Sequence, residues 1–249
     1  MKTNQILKWM ITTILVIIGV FVLIRLGFWQ LDRLDQRRAF NDHYLEQVSL
    51  EPINLSGQSI PVGLEGMEYR KVSVEGFFDF KNEIYLQNHA HENQPGYRVV
   101  TPLLIENQNL AVLIDRGWIS LSDLKNISSI NEQYEQAQTI NGIIRNPNSK
   151  DKIVDTVKSS EDNSNLYLYV DIASVQNKAN YQLLPIYIQL EGDSHGEKPI
   201  PQTQEIEITE GPHFGYALQW FIFASLLGLG YPFFVRKQVR EKTREKFNE

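Results

Sequence analysis

The side chains best suited to chemistry in this chain fall at three places. Gly192-Asp193-Ser194-His195-Gly196 has the G-x-S-x-G spacing of a hydrolase nucleophile, which requires a strained turn between a strand and a helix. An apolar run precedes it, but Pro199 and Pro201 follow and bar a helix there, so the segment reads as a loop. His89 and His91, with Glu92 beside them, are spaced like two metal ligands on one strand face. The surrounding NHAHENQPG reads instead as a solvated turn. The third place is His213, which follows Gly211-Pro212 and opens a long apolar run. Cysteine is absent, which excludes disulfides, thiolate metal sites and thioredoxin-type redox chemistry. The chain also carries no P-loop or dinucleotide fingerprint.

His213 belongs to an element that is easy to place. Residues 214–235 (FGYALQWFIFASLLGLGYPFFV) carry no charge, nor do residues 9–24 (WMITTILVIIGVFVLI), and the first run resumes after Arg25 as LGFWQL. At 1.5 Å per residue, Trp9 to Trp29 covers roughly 31 Å and Phe214 to Val235 about 33 Å, each close to a bilayer's hydrocarbon core. Both read as membrane spans, the first over 6–31 and the second over 213–235. A cleaved signal peptide is the alternative for the first, opposed by its length and by the lack of a small-x-small cleavage site. A buried globular helix is the alternative for either.

Charge sets the expected orientation. The tail 236–249 opens with RKQVREKTREK, and Lys2 and Lys8 precede the first span, so both termini are expected in the cytoplasm. Setting aside the nine basic and three acidic residues outside 26–213 leaves 15 basic and 27 acidic, a net charge of −12. That balance argues against a nucleic-acid partner, which needs a concentrated basic face. It describes an acidic domain, 32–212, outside the membrane.

This domain is expected to be β-rich α+β, with mainly antiparallel strands. Runs rich in Val, Ile, Tyr and Phe stand at 70–80, 83–87, 97–105, 110–119, 139–145, 166–172, 185–191 and 205–209, separated by Gly, Asn and Pro turns. Helical pattern continues from the first span to about residue 50, and recurs more weakly at 121–138 and 171–177. Residues 159–165 and 192–202 read as loops.

Membership of a helical span gives His213 neighbours. Helical spacing from it puts Tyr216 or Ala217, Trp220 and Ala224 on one stripe. An imidazole beside aromatic and small residues suits a flat apolar macrocycle, since neutral imidazole ligates haem iron. Arg25 and Trp29 lie at matching depth on the first span, with Arg33 a turn further, and an arginine there suits carboxylates. The other reading is an aromatic belt with an interfacial histidine bonded to water or backbone.

These residues resemble the surfeit-locus cytochrome c oxidase assembly proteins (the surfeit-one or Shy-one-like family). The resemblance runs from Leu26 to about Arg236. It is carried by LGFWQLDRLDQR (Gly27, Trp29, Gln30, Arg33), EYRKVSVEGFFD (Arg70, Val72, Gly76, Phe78), GYRVVTPLLIENQNLAVLIDRGWI (Gly96, Thr101, Pro102, Arg116, Gly117, Trp118) and GPHFGYALQWFIFA (His213, Tyr216, Ala217, Trp220, Phe221). Asp115 stands where the family pattern has an asparagine or similar residue, Gly211-Pro212 replaces asparagines, and 146–182 is only weakly alike.

The resemblance implies a bacterial inner-membrane, multi-pass biogenesis factor with its main domain in the periplasm and no established enzymatic activity. It would help insert haem a into the catalytic subunit one of a haem-copper oxidase, with haem a synthase as a further partner. Some bacterial members of the family are thought to bind haem a through the histidine matching His213. The expected site lies between the outer ends of the spans: His213 on iron, Trp29, Tyr216 and Trp220 against the ring, and Arg25 at the propionates. Two alternatives stand beside this haem chaperone, a membrane scaffold that never touches haem and a periplasmic hydrolase built on Ser194. Trp118 is expected to be buried, with Gly117 allowing another backbone to come close; the alternative is an exposed Trp118 that docks a partner.

Overall fold

The computed structural model describes residues 2–57, 59–147, 165–192, 198–202 and 206–245. It resolves into two units, Met1–His43 with Glu207–Glu249, and Tyr44–Ile206.

In the second unit, short β-branched and aromatic runs form eight strands: β1 (Ile53–Asn54), β2 (Lys71–Phe78), β3 (Ile84–His91), β4 (Gln94–Ile105), β5 (Leu110–Ser120), β6 (Gln138–Arg145), β7 (Leu166–Tyr167) and β8 (Gln182–Leu190). The sheet runs β1-β2-β6-β8-β5-β4-β3-β7 and bends round so that β2 also meets β4, through Gly76–Ile105, Phe77–Leu104 and Phe78–Leu103. Five strands therefore make a partly closed barrel. The pairing is mixed rather than mainly antiparallel: β1–β2, β3–β7 and β5–β8 are parallel. A parallel partner for β5 needs a long crossover, and α4 (Ile172–Gln176), capped by the Asp171 side chain on the Ser174 amide, lies within it.

The barrel interior is filled from every strand of the ring, by Val72, Val74, Leu103, Ile105, Val112, Ile114, Ile140, Ile144, Ile186 and Ile188. A second apolar cluster covers the outer face, where Ile84, Leu86, Ala111 and Leu113 pack with Val170 and Val175. β5 contributes to both, which explains its unbroken apolar run: a strand covered on two faces has no polar side to alternate.

Past that run, Trp118 is 4% exposed and pairs through its backbone with Ile200, the N–H to carbonyl distances being 2.7 and 2.8 Å. Gly117 has φ +116°, and a Cβ there would stand 2.1 Å from the Ile200 carbonyl oxygen, so no side chain fits.

Several expected elements differ. His89 and His91 lie on β3 itself rather than in a turn; the turn is Glu92-Asn93, both at positive φ, as a two-residue hairpin connection requires. The helix expected over 121–138 is broken into α2 (Leu121–Leu124), α3 (Ile127–Asn131) and a 3₁₀ turn at Glu132–Tyr134. Only two residues of the expected strand 166–172 pair. Residues 206–209, expected within a strand at 205–209, join no strand, and Glu205 lies outside the described residues, as does the Ser194-His195-Gly196 core of the hydrolase-like motif.

The first unit holds two long helices, α1 up to its boundary at His43 (the helix spans Lys2–Ser49) and α5 (His213–Glu245). Both are long and apolar enough to cross a membrane, judged by length and composition. They pack antiparallel: the Thr13 and Tyr231 hydroxyls are 2.8 Å apart, Gly19 faces Leu227, Val20 faces Gly228, and Phe28 meets Phe221 edge-on with ring centroids 5.4 Å apart. Among the glycines of this contact, Gly27 is the most tightly covered: an added Cβ would stand 2.6 Å from the Phe221 ring.

Candidate functional site

Near the C-terminal end of the first apolar run and the start of the second, the hairpin brings two polar side chains together. His213 Nδ1 lies 2.8 Å from Gln30 Oε1. An amide oxygen only accepts, so Nδ1 is the donor, and the neutral tautomer that fits this bond has its lone pair on Nε2. This is the arrangement that orients a metal-ligating histidine, with the second ring nitrogen held by a neighbouring acceptor. Gly211 at φ +68° turns the chain into α5, and the Pro212 carbonyl accepts from the Tyr216 amide at 3.1 Å, so His213 sits on the first helical turn.

The stretch leading into His213 is bound to α1 by side chains instead of a strand partner. Arg37 donates to the carbonyls of Thr209 (2.9 Å) and Glu207 (2.6 Å), and Asn41 donates to Thr209 at 3.2 Å. Arg38 grips both carboxylate oxygens of Glu210, at 2.8 and 3.0 Å, which holds that carboxyl below its ordinary range. The Glu207 and Thr209 carbonyls find their donors on a helix, and residues 206–209 of the alternating sequence join no strand.

The other expected site residues are placed unevenly. Ala217 and Ala224 are buried in the helix contact, while Tyr216 is 48% exposed and Trp220 half-buried against Phe223, with centroids 6.2 Å apart. Trp29 is 48% exposed, and the Arg33 guanidinium stacks 5.6 Å over its ring. At about 100° per residue, Arg25 stands about 140° round α1 from Gln30, the partner of His213, and Arg33 about 60°. Arg33, one turn past Trp29, is better placed. Gln30, Gly27 and Phe221 are the residues that spacing alone did not single out for this site, although all three lie within the matched segments.

A second polar cluster is buried in the barrel unit. Glu83 Oε2 accepts from Thr101 (2.6 Å) and Arg116 (3.1 Å), and Oε1 accepts from Tyr85 (2.8 Å) and Asn131 (3.3 Å). Arg116 also donates to Asn131 at 2.6 Å and lies over the rings of Tyr134, Phe78 and Phe80, at 4.7, 5.2 and 5.4 Å. Burial pushes the Arg116 guanidinium down, against the pull of Glu83. It pushes the Tyr85 hydroxyl up, assisted by the Glu83 charge. His91 packs on Trp118, and no group of three or more His, Asp or Glu side chains able to hold a metal ion occurs among the described residues.

The fold and the site together define a class: a small barrel inserted, in chain order, between two long apolar helices that meet at a histidine–glutamine pair. The chain belongs to the SURF1 family, whose model matches residues 17–225. It is 29% identical over 232 residues to a SURF1-like protein of Rickettsia conorii, covering 91% of this chain and 92% of that protein. It is 24% identical over 251 residues to surfeit locus protein 1 of Xenopus tropicalis (94% and 78%). It is also 28% identical over 151 residues to the cytochrome oxidase assembly protein SHY1 of Saccharomyces cerevisiae (59% and 38%).

Proposed function

We propose that this protein is a cytochrome oxidase assembly factor of a bacterial inner membrane, whose helix hairpin holds haem a at His213 before passing it to the oxidase catalytic subunit. The name of the yeast relative supports the assembly role, and the Rickettsia relatives fit a bacterial setting. The observation that carries the haem reading is the His213–Gln30 hydrogen bond. It fixes the imidazole and leaves Nε2 as a single ligand, which suits a metal that brings four nitrogens of its own and not a bare ion. Bound haem a would supply the redox and ligand-binding centre of the oxidase; the chain's part is to hold it and let it go.

In this reading Trp29, Tyr216 and Trp220 offer aromatic surface beside the imidazole, and Arg33 rather than Arg25 takes the propionates. One protein ligand on a part-buried helix end keeps the bond reversible. Haem a synthase is the donor and subunit one the acceptor. The spans run with both termini in the cytoplasm and the acidic barrel in the periplasm, as the basic tail supports.

The test is the absorbance spectrum of full-length protein purified from haem-a-producing cells. A Soret band is expected in wild type, lost in His213→Ala and weakened more by Arg33→Glu than by Arg25→Glu. A wild-type spectrum without a Soret band would overturn the haem reading and leave a scaffold for assembly intermediates.

A further inference from the structure

We propose that the outer face of the barrel carries a binding site for a small carboxylic acid, in the cleft between Arg98, Arg145 and Tyr187. The cleft encloses about 480 Å³ and is lined by His91, Arg98, Arg145, Tyr187 and Gln189, with Pro201 and Gln202 at its rim. That volume is within the range of small-molecule pockets.

Sheet register explains the convergence. Ile186 and Ile188 of β8 fill the core, so Tyr187 and Gln189, alternating with them, face outward. Tyr187 stands opposite Arg145 on β6, and Gln189 opposite Asp115 on β5. Arg98 comes from β4, and His91 from β3 beyond it. The lining side chains therefore come mainly from strands, which hold a site more firmly than loops do.

Charge indicates the ligand. Arg98 is ion-paired with the buried carboxylate of Asp115, yet its Nε is buried without a hydrogen-bond acceptor. Arg145 lies 3.4 Å from Glu68, Nε to Oε1, and stacks 4.9 Å over Tyr69; its Nε is likewise buried with no well-formed hydrogen bond. A guanidinium has five N–H donors, so each of these keeps donors to spare while its charge is already balanced. A polyanion site would show uncompensated cations. Spare planar donors at near-zero net charge suit one carboxylate, with the Tyr187 hydroxyl as one more donor to it and the Tyr187 and His91 rings, the latter 5.3 Å from Trp118, as walls for a short carbon body.

The probe is butyrate, titrated calorimetrically into full-length protein in detergent, with inorganic phosphate at matched ionic strength as the comparison. Saturable butyrate binding is expected, weakened about tenfold in Arg145→Lys and about threefold in Tyr187→Phe, with phosphate at least about tenfold weaker than butyrate. Tyr187→Phe removes one hydroxyl and keeps the ring, so it remains informative if Arg145→Lys misfolds. No saturable heat with butyrate, phosphate binding more tightly than butyrate, or butyrate binding unchanged in the folded variants would each overturn the site.

Discussion

The Glu83–Arg116 cluster of the barrel and the His213–Gln30 pair of the hairpin are both polar contacts among apolar neighbours, and they are built differently. Both oxygens of Glu83 are taken, each by two donors. Arg116 is 3% exposed and stacked among three rings; its Nη2 has no hydrogen-bond acceptor, its charge being met by those rings and by Glu83. Neither Glu83 oxygen is left over for a ligand. The hairpin pair satisfies one ring nitrogen and leaves the other, on a half-buried residue flanked by exposed aromatics. A closed cluster holds a fold together, whereas an open one is available to bind.

The sharpest way to break this contrast is Arg116→Ala. It strands a buried Glu83 carboxylate and should cost about 3–5 kcal/mol, read as a lowered denaturant midpoint of the barrel; an unchanged midpoint would mean the cluster is not structural. Trp118→Ala, which empties a 4% exposed site, should cost about 3 kcal/mol or somewhat more by the same measurement, and a wild-type melting curve would point instead to a docking role for that ring. Gln30→Leu tests the open pair. It should weaken haem retention about tenfold or more while leaving the barrel midpoint where it was, and a shift in the midpoint with retention intact would reverse the two roles.

The smallest effect is a pH dependence. Burial, and then the Arg98 charge, lower the His89 pKa below its ordinary 6.5, so the unfolded chain binds that proton more readily than the folded one. Stability from this group is complete above 6.5 and declines as pH falls through the lowered value. His89→Gln should flatten that part of the barrel's stability profile; an identical slope would show that another group titrates there.

Much of the barrel is legible in the sequence because β5 advertises itself. LAVLI at 110–114 has no polar side, and a strand buried on two faces is what the structure supplies. Gly117 is legible for a similar reason, as a glycine next to a large buried ring. The misreadings share a cause, which is that partners distant in sequence decide the outcome. EIEIT alternates like a strand, but Arg37 and Asn41, some 170 residues earlier, take its carbonyls. Asn93 reads as part of a broad loop around the histidines, whereas positive φ at two adjacent residues makes a tight hairpin and returns His89 and His91 to the strand. At the hairpin, depth along the span can be counted from the sequence, but rotation about it depends on which face α5 covers. Depth alone does not single out Gln30, which is 183 residues from its partner.

The position of β8 bears on how the chain reaches this state. It is the last strand made among the described residues, yet it lies between two earlier ones, parallel to β5 and antiparallel to β6. Until it arrives, β5 and β6 each present an unpaired row of amides and carbonyls, the feature by which strands recruit strands from other molecules. Closing the ring joins Leu113 to Tyr187 and Ile144 to Ile188, contacts between stretches far apart in the chain, which form slowly. A chain that stops short of Gln182 would keep both rows bare, so its fault would be self-association during folding, before any question of what it binds.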